Sequence, residues 1–115
     1  GSIMSSYQQP QDLQYAQKLV QLASIEAKAF LNLKAAAERP DGKIPPKYRE
    51  LISVAVAITT QCPYCIEAHT KNAVKAGVTG EELAEAIFIA SALQAGAAVG
   101  HGLLALRLFG NAQSN

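Results

Sequence analysis

The stretch Ser53-Val54-Ala55-Val56-Ala57-Ile58-Thr59-Thr60 decides the fold class, because its β-branched residues suit a strand as readily as a buried helix. A strand needs a partner, and no second run of this kind is visible anywhere in the 115 residues. Upstream, Pro45-Pro46 suits a helix start, since a first-turn proline loses no helical hydrogen bond. Leu51, Val54, Ala55 and Ile58 then recur at helical spacing. The stretch is therefore read as the second half of a helix over residues 47–60, and the chain as all-α.

Working outward, apolar residues at Leu13, Ala16, Val20, Ala23, Ala27 and Phe30 paint one face of a long first helix over residues 12–37. A second stripe, Leu19, Leu22, Ala29 and Leu33, widens that face. Arg39-Pro40-Asp41-Gly42 supplies a stop and a turn, and the loop runs to about Ile44. Beyond residue 60, Pro63 starts a third, short helix and Gly77 offers the left-handed residue that closes it. Thr79 with Glu82 forms a capping box opening a fourth helix toward Phe109, with Gly110 as its expected end. The expected fold is a helical bundle of about four main helices, one domain over residues 12–110, with residues 111–115 frayed.

Residues 1–4 read as an expression-tag remnant ahead of Met4, and the polar residues 5–11 as a disordered start. With neither a basic beginning nor an apolar middle there, a cytoplasmic location is expected, where a structural disulfide is disfavoured. Half of the residues are hydrophobic and 17% charged, which places the chain with packed globular proteins. The net charge is +1 and no dense Lys/Arg run occurs, so no nucleic-acid partner is expected.

Residues 86–106 carry no charge and include Gly96-x-x-x-Gly100, so a membrane span has to be weighed. Gln94, His101, the glycines and the many alanines make the segment weakly hydrophobic and better suited to close packing between protein helices, so no membrane is expected. Its apolar residues lie on all sides, more than one small domain covers, which points to a homo-oligomer.

Chemistry concentrates in Cys62-Pro63-Tyr64-Cys65 and in His69. Two intervening residues place the thiols on successive turns of one helix face, within disulfide reach. At a helix start the unsatisfied amides and the helix dipole favour thiolate over thiol. His69, four residues after Cys65, adds a base on the same side. The helix dipole argues for Cys62 as the more acidic thiol, while nearness to His69 argues for Cys65. A peroxide would oxidise the attacking thiolate to a sulfenic acid, which the other cysteine captures as a disulfide that an external dithiol resets. Competing readings are a zinc site completed by His101 or Glu50, and two inert core cysteines.

Glu50, eleven residues, Cys62-x-x-Cys65, three residues and His69 together resemble the alkylhydroperoxidase D-like (AhpD-like) branch of the carboxymuconolactone decarboxylase family. Arg49-Glu50-Leu51-Ile52, Ala68-His69 and Gly77-Val78-Thr79-Gly80-Glu81-Glu82 extend the likeness over residues 47–93. The resemblance implies an all-helical homo-trimer or homo-hexamer acting on a small peroxide or disulfide substrate without haem, flavin or metal. It implies a dithiol reductant, a lipoyl or thioredoxin-like protein. Carried over, it makes Cys65 the peroxide-attacking residue, Cys62 its proton donor and disulfide partner, and His69 with Glu50 the proton relay. Tyr64 departs from the best-known members, which carry a histidine directly before the second cysteine. A tyrosine titrates near pH 10 and is no neutral-pH base, which favours thiol-disulfide exchange over peroxide reduction. Alternatives are the wider family's decarboxylase reaction, for which Arg39, Arg49 and Arg107 are the arginines available, and a non-enzymatic redox-responsive helical module.

Overall fold

The computed structural model describes residues 9–114, so the readings of residues 1–8 and Asn115 lie outside the described residues. No strand occurs among the described residues, and five α-helices follow a 3-10 helix at Pro10–Tyr15: α1 Ala16–Leu22, α2 Ser24–Ala37, α3 Pro46–Thr59, α4 Pro63–Lys75 and α5 Gly80–Ser114. The β-branched stretch is the body of α3. The chain divides into two compact units, one ending at Lys43 and one beginning at Ile44.

In the first unit the expected single helix is broken. Pro10 opens the 3-10 turn, where Asp12 accepts a hydrogen bond from the Gln9 amide at 3.0 Å. Ala23, at φ −139° and ψ 63°, then separates α1 from α2. The two apolar stripes lie roughly a third of a turn apart on a straight helix. One rod would spread them over more than half its circumference; the break at Ala23 cuts both stripes, leaving members of each on α1 and on α2. Lys34 and Glu38 pair across one turn at 2.7 Å near the end of α2, just before Pro40. No residue of α1 or α2 is buried.

In the second unit α3 is central and contacts both α4 and α5. Its core is small: Val54 and Ala57 of α3, Ala73 of α4 and Ala90 of α5. Alanines at these crossings allow the helix axes to approach closely. Pro46 opens α3, and the Arg49 guanidinium donates to the Ile44 carbonyl at 2.7 Å, closing the loop onto the helix start.

Helices α3 and α4 end by the same device. After α3, the Gln61 amide donates to Ile58 O at 3.3 Å and the Cys62 amide to Ala57 O at 3.1 Å. After α4, the Gly77 amide donates to Val74 O and the Val78 amide to Ala73 O, at 3.1 and 3.0 Å. This double closure needs a left-handed residue, and Gly77 (φ 83°) supplies it as its sequence position predicts. At the first site the residue is Gln61 (φ 57°), at a cost of about 1 kcal/mol relative to glycine.

The capping box at α5 forms as expected: the Thr79 amide donates to Glu82 Oε1 at 2.9 Å and the Glu82 amide to Thr79 Oγ1 at 3.1 Å. Lys47 adds an ion pair to Glu82 at 2.9 Å, tying the start of α3 to that of α5. The Thr79 amide first, and then Lys47, hold the Glu82 carboxyl below its ordinary range. Because its folded pKa is depressed, this carboxylate stabilises the fold above its unfolded value and loses that contribution as the pH falls through the folded one. Glu82→Gln should lower the urea-unfolding midpoint at neutral pH, with the difference from the parent shrinking in acid.

Gly110 does not end α5. Gly77 is the one glycine with positive φ among the described residues, and the helix passes through Gly110 to Ser114, whose hydroxyl donates to Gly110 O at 3.2 Å. A helical glycine costs about 1 kcal/mol relative to alanine, too little to stop an otherwise favourable helix. At 35 residues, α5 is long and apolar enough by length and composition to cross a membrane.

Candidate active site

The tight turn at Gln61 reverses the chain between α3 and α4, so positions at comparable distances from the turn face each other. Glu50 on α3 lies three turns before Gln61, and His69 on α4 a little over two turns after it. Their side chains meet: His69 Nδ1 and Glu50 Oε2 are 2.7 Å apart. Both are largely covered, with side-chain exposures of 13% and 15%. An ionised carboxylate accepts only, so Nδ1 is the donor of this bond and Nε2 is the ring nitrogen left to exchange a proton.

Cys62 is the N-cap of α4, and its sulfur accepts a hydrogen bond from the Cys65 amide at 3.3 Å. This is the donor end of a helix, where unsatisfied amides and the dipole favour negative charge on sulfur. Cys62 and Cys65 are joined as a disulfide across a Cα separation of 5.3 Å, within the normal span for such a bond. Both residues are half-buried, as is Tyr64 between them.

The two cysteines differ in what they face. An open cleft of about 270 Å³ is lined by Cys65 and His69 together with Ile52, Ser53, Val56, Ala57 and Thr60. Cys62 is not part of its wall. The helix dipole therefore serves Cys62, while access and the imidazole serve Cys65. All four sequence-derived site residues, Cys65, Cys62, His69 and Glu50, fall in this one region between α3 and α4. His101 lies on α5 and does not line the cleft. Among the described residues, no group of three or more His, Cys, Asp or Glu side chains converges as metal ligands would.

Sequence reading missed the cleft wall. Ile52 and Val56 are half-exposed on α3, one turn apart, and form a second stripe beside the core-facing one. Their signal was this second i, i+4 stripe. Ile52 also borders a larger cleft of about 390 Å³ between α3 and α5, lined in part by Tyr48, Leu51, Ala55 and Ile89.

An all-helical scaffold thus holds a disulfide-linked Cys-x-x-Cys pair beside a histidine oriented by a carboxylate. The sequence pattern of the carboxymuconolactone decarboxylase family matches residues 26–108, and the chain belongs to that family, of which the AhpD-like branch is a part. It is 48% identical over 66 residues to "Uncharacterized protein 4 in cox locus" of Paracoccus denitrificans, covering 57% of this chain and 60% of that protein. It is 39% identical over 61 residues to "Uncharacterized protein H16_B0147" of Cupriavidus necator, covering 53% of each. The chain thus spans little more than half the length of these curated relatives.

Proposed function

We propose that the chain is a thiol-dependent peroxidase and disulfide oxidoreductase of the alkylhydroperoxidase type. The observation that carries this reading is the sharing of one cleft by Cys65 and His69, with Glu50 behind the imidazole and Cys62 in disulfide contact. In the reduced state His69 takes the Cys65 proton, and the Cys65 thiolate attacks the terminal peroxide oxygen. The O–O bond breaks, Cys65 becomes a sulfenic acid, and the alkoxide leaves as the alcohol with the proton returned by His69. The Cys62 thiolate, favoured at the helix start, then attacks the Cys65 sulfur. The S–S bond forms, the S–O bond breaks, and the departing hydroxide takes up the proton that Cys62 released on ionising and leaves as water. An external dithiol, lipoyl or thioredoxin-like, restores both thiols and is itself oxidised to a disulfide.

The apolar cleft wall and its border with the larger α3/α5 cleft favour an organic peroxide. Among the described residues no lysine or arginine lines the redox cleft, and the Arg49 guanidinium is engaged by the Ile44 carbonyl. That disfavours the decarboxylase reading, which needs cations to hold a carboxylated lactone. Tyr64 favours a second reading, disulfide exchange with a protein or small-molecule disulfide in place of the peroxide step. Cumene hydroperoxide with dihydrolipoamide tests the primary reading. The reduced chain should consume the peroxide catalytically; equal rates for the parent and a Cys62→Ser/Cys65→Ser double variant would end it.

A further inference from the structure

One face of α3 is polar where the crossing of two helices is ordinarily apolar. Glu50, Ser53, Ala57 and Thr60, separated by three, four and three residues, fall on one side of the helix, and three of the four carry side-chain oxygen. Glu50 holds His69, and Ala57 is buried. Ser53 and Thr60 take no part in the chemistry set out above, yet both line the redox cleft with Cys65 and His69. One turn along α3 from Glu50 brings Ser53, and one turn back along α4 from His69 brings Cys65, so these two step together toward the turn.

Both hydroxyl protons are committed to the backbone. Ser53 Oγ donates to Arg49 O and Thr60 Oγ1 to Val56 O, each at 2.9 Å. Bonds to the carbonyl one turn earlier recur at Thr70 and Ser91, but neither of those lines the cleft. A hydroxyl whose proton lies on a carbonyl presents its lone pairs to whatever stands before it. In the helix ladder Arg49 O already accepts the Ser53 amide, so the hydroxyl is not needed to satisfy it. A serine inside a helix also forms it less readily than an alanine. Local structure therefore gives no reason for a hydroxyl at position 53. The cleft gives one: beside a histidine that passes protons, it holds a side chain that accepts a hydrogen bond.

We propose, building on the peroxidase reading, that Ser53 Oγ accepts a hydrogen bond from the terminal O–H of an organic hydroperoxide and so selects that class over disulfides, which carry no such hydrogen. Ser53 is assigned in preference to Thr60 because it is the half-buried one of the two and steps with Cys65. In a hydroperoxide R–O–O–H the hydrogen sits on the oxygen that the Cys65 thiolate attacks. Held on Ser53, it stays with that oxygen throughout. The S–O bond forms, the O–O bond breaks, and His69 gives the proton it took from Cys65 to the departing alkoxide. The products are R–OH and the Cys65 sulfenic acid, whose O–H remains on Ser53.

Ser53→Thr and Ser53→Val, two side chains of one shape that differ in the hydroxyl, test this as reduced whole chains in stopped flow. With cumene hydroperoxide, Ser53→Val should be oxidised roughly tenfold more slowly than Ser53→Thr, the effect of one neutral hydrogen bond. With dithiodipyridine, a disulfide without a hydrogen to donate, the two should react at the same rate. Ser53→Ala adds no bulk and decides the question if either larger side chain fails to fold. It should lose a similar factor to the parent with the hydroperoxide alone, while its urea midpoint stays at or above the parent's. Equal loss with both oxidants, or a Ser53→Ala chain that matches the parent with the hydroperoxide, overturns this inference and leaves the peroxidase reading standing. A parent that does not consume the hydroperoxide overturns both.

Discussion

Replacing Cys65 with serine should lower steady-state turnover of an organic hydroperoxide by about a thousandfold or more, down to the background given by the dithiol alone. A serine hydroxyl keeps the shape of the side chain, but it does not form an anion near neutral pH and has no sulfur to oxidise. Cys62→Ser should fail differently. Cys65 and His69 still share the cleft, so each chain should consume one hydroperoxide rapidly and then stall as a sulfenic acid that no neighbouring thiol captures. A burst of one turnover without steady state in Cys62→Ser, and no burst in Cys65→Ser, is the expected pair of progress curves. The reverse pattern would assign attack to Cys62, the thiol that the α4 N-terminus favours.

The second large effect is expected at the relay. His69→Ala should slow the oxidation of Cys65 by roughly 10²- to 10⁴-fold, the usual range for a lost general acid–base. Glu50→Gln should cost less, roughly 10- to 100-fold, as for other groups that support a catalytic side chain from behind. An amide retains a hydrogen bond to Nδ1 at 2.7 Å but does not balance the positive charge the ring acquires with the thiol proton. Stopped-flow measurement of thiolate oxidation across pH would show the loss as a lower and displaced profile. A Glu50→Gln profile matching the parent's would reduce Glu50 to a structural partner of His69.

Local chemistry was legible in the sequence. The Thr79/Glu82 capping box, the left-handed Gly77 and Pro63 at the start of α4 each depend on neighbours within a few residues, and each forms as read. The break at Ala23 and the passage of α5 through Gly110 were not legible, because both reflect a balance along a whole helix with no local punctuation to mark it. Glu50 shows the same limit at the site. Nothing near it distinguishes it from an ordinary first-turn glutamate. Its role follows from a reversal at Gln61, a residue type that does not advertise a left-handed turn. The resemblance supplied Glu50, and the hairpin supplies the physical reason. The cleft wall of Ile52 and Val56 required knowing which sides of α3 are already taken.

The proposed function makes Cys62 and Cys65 a reactive pair with Cys65 as the attacking thiol. Its most direct test is the mass of the fully reduced chain after one equivalent of an organic hydroperoxide. The predicted result is loss of two hydrogens, placed by peptide mapping at Cys62–Cys65, and in Cys62→Ser the gain of one oxygen on Cys65. Both thiols recovered intact with the hydroperoxide unconsumed, or the added oxygen found on Cys62 in Cys65→Ser at the parent's rate, would contradict it.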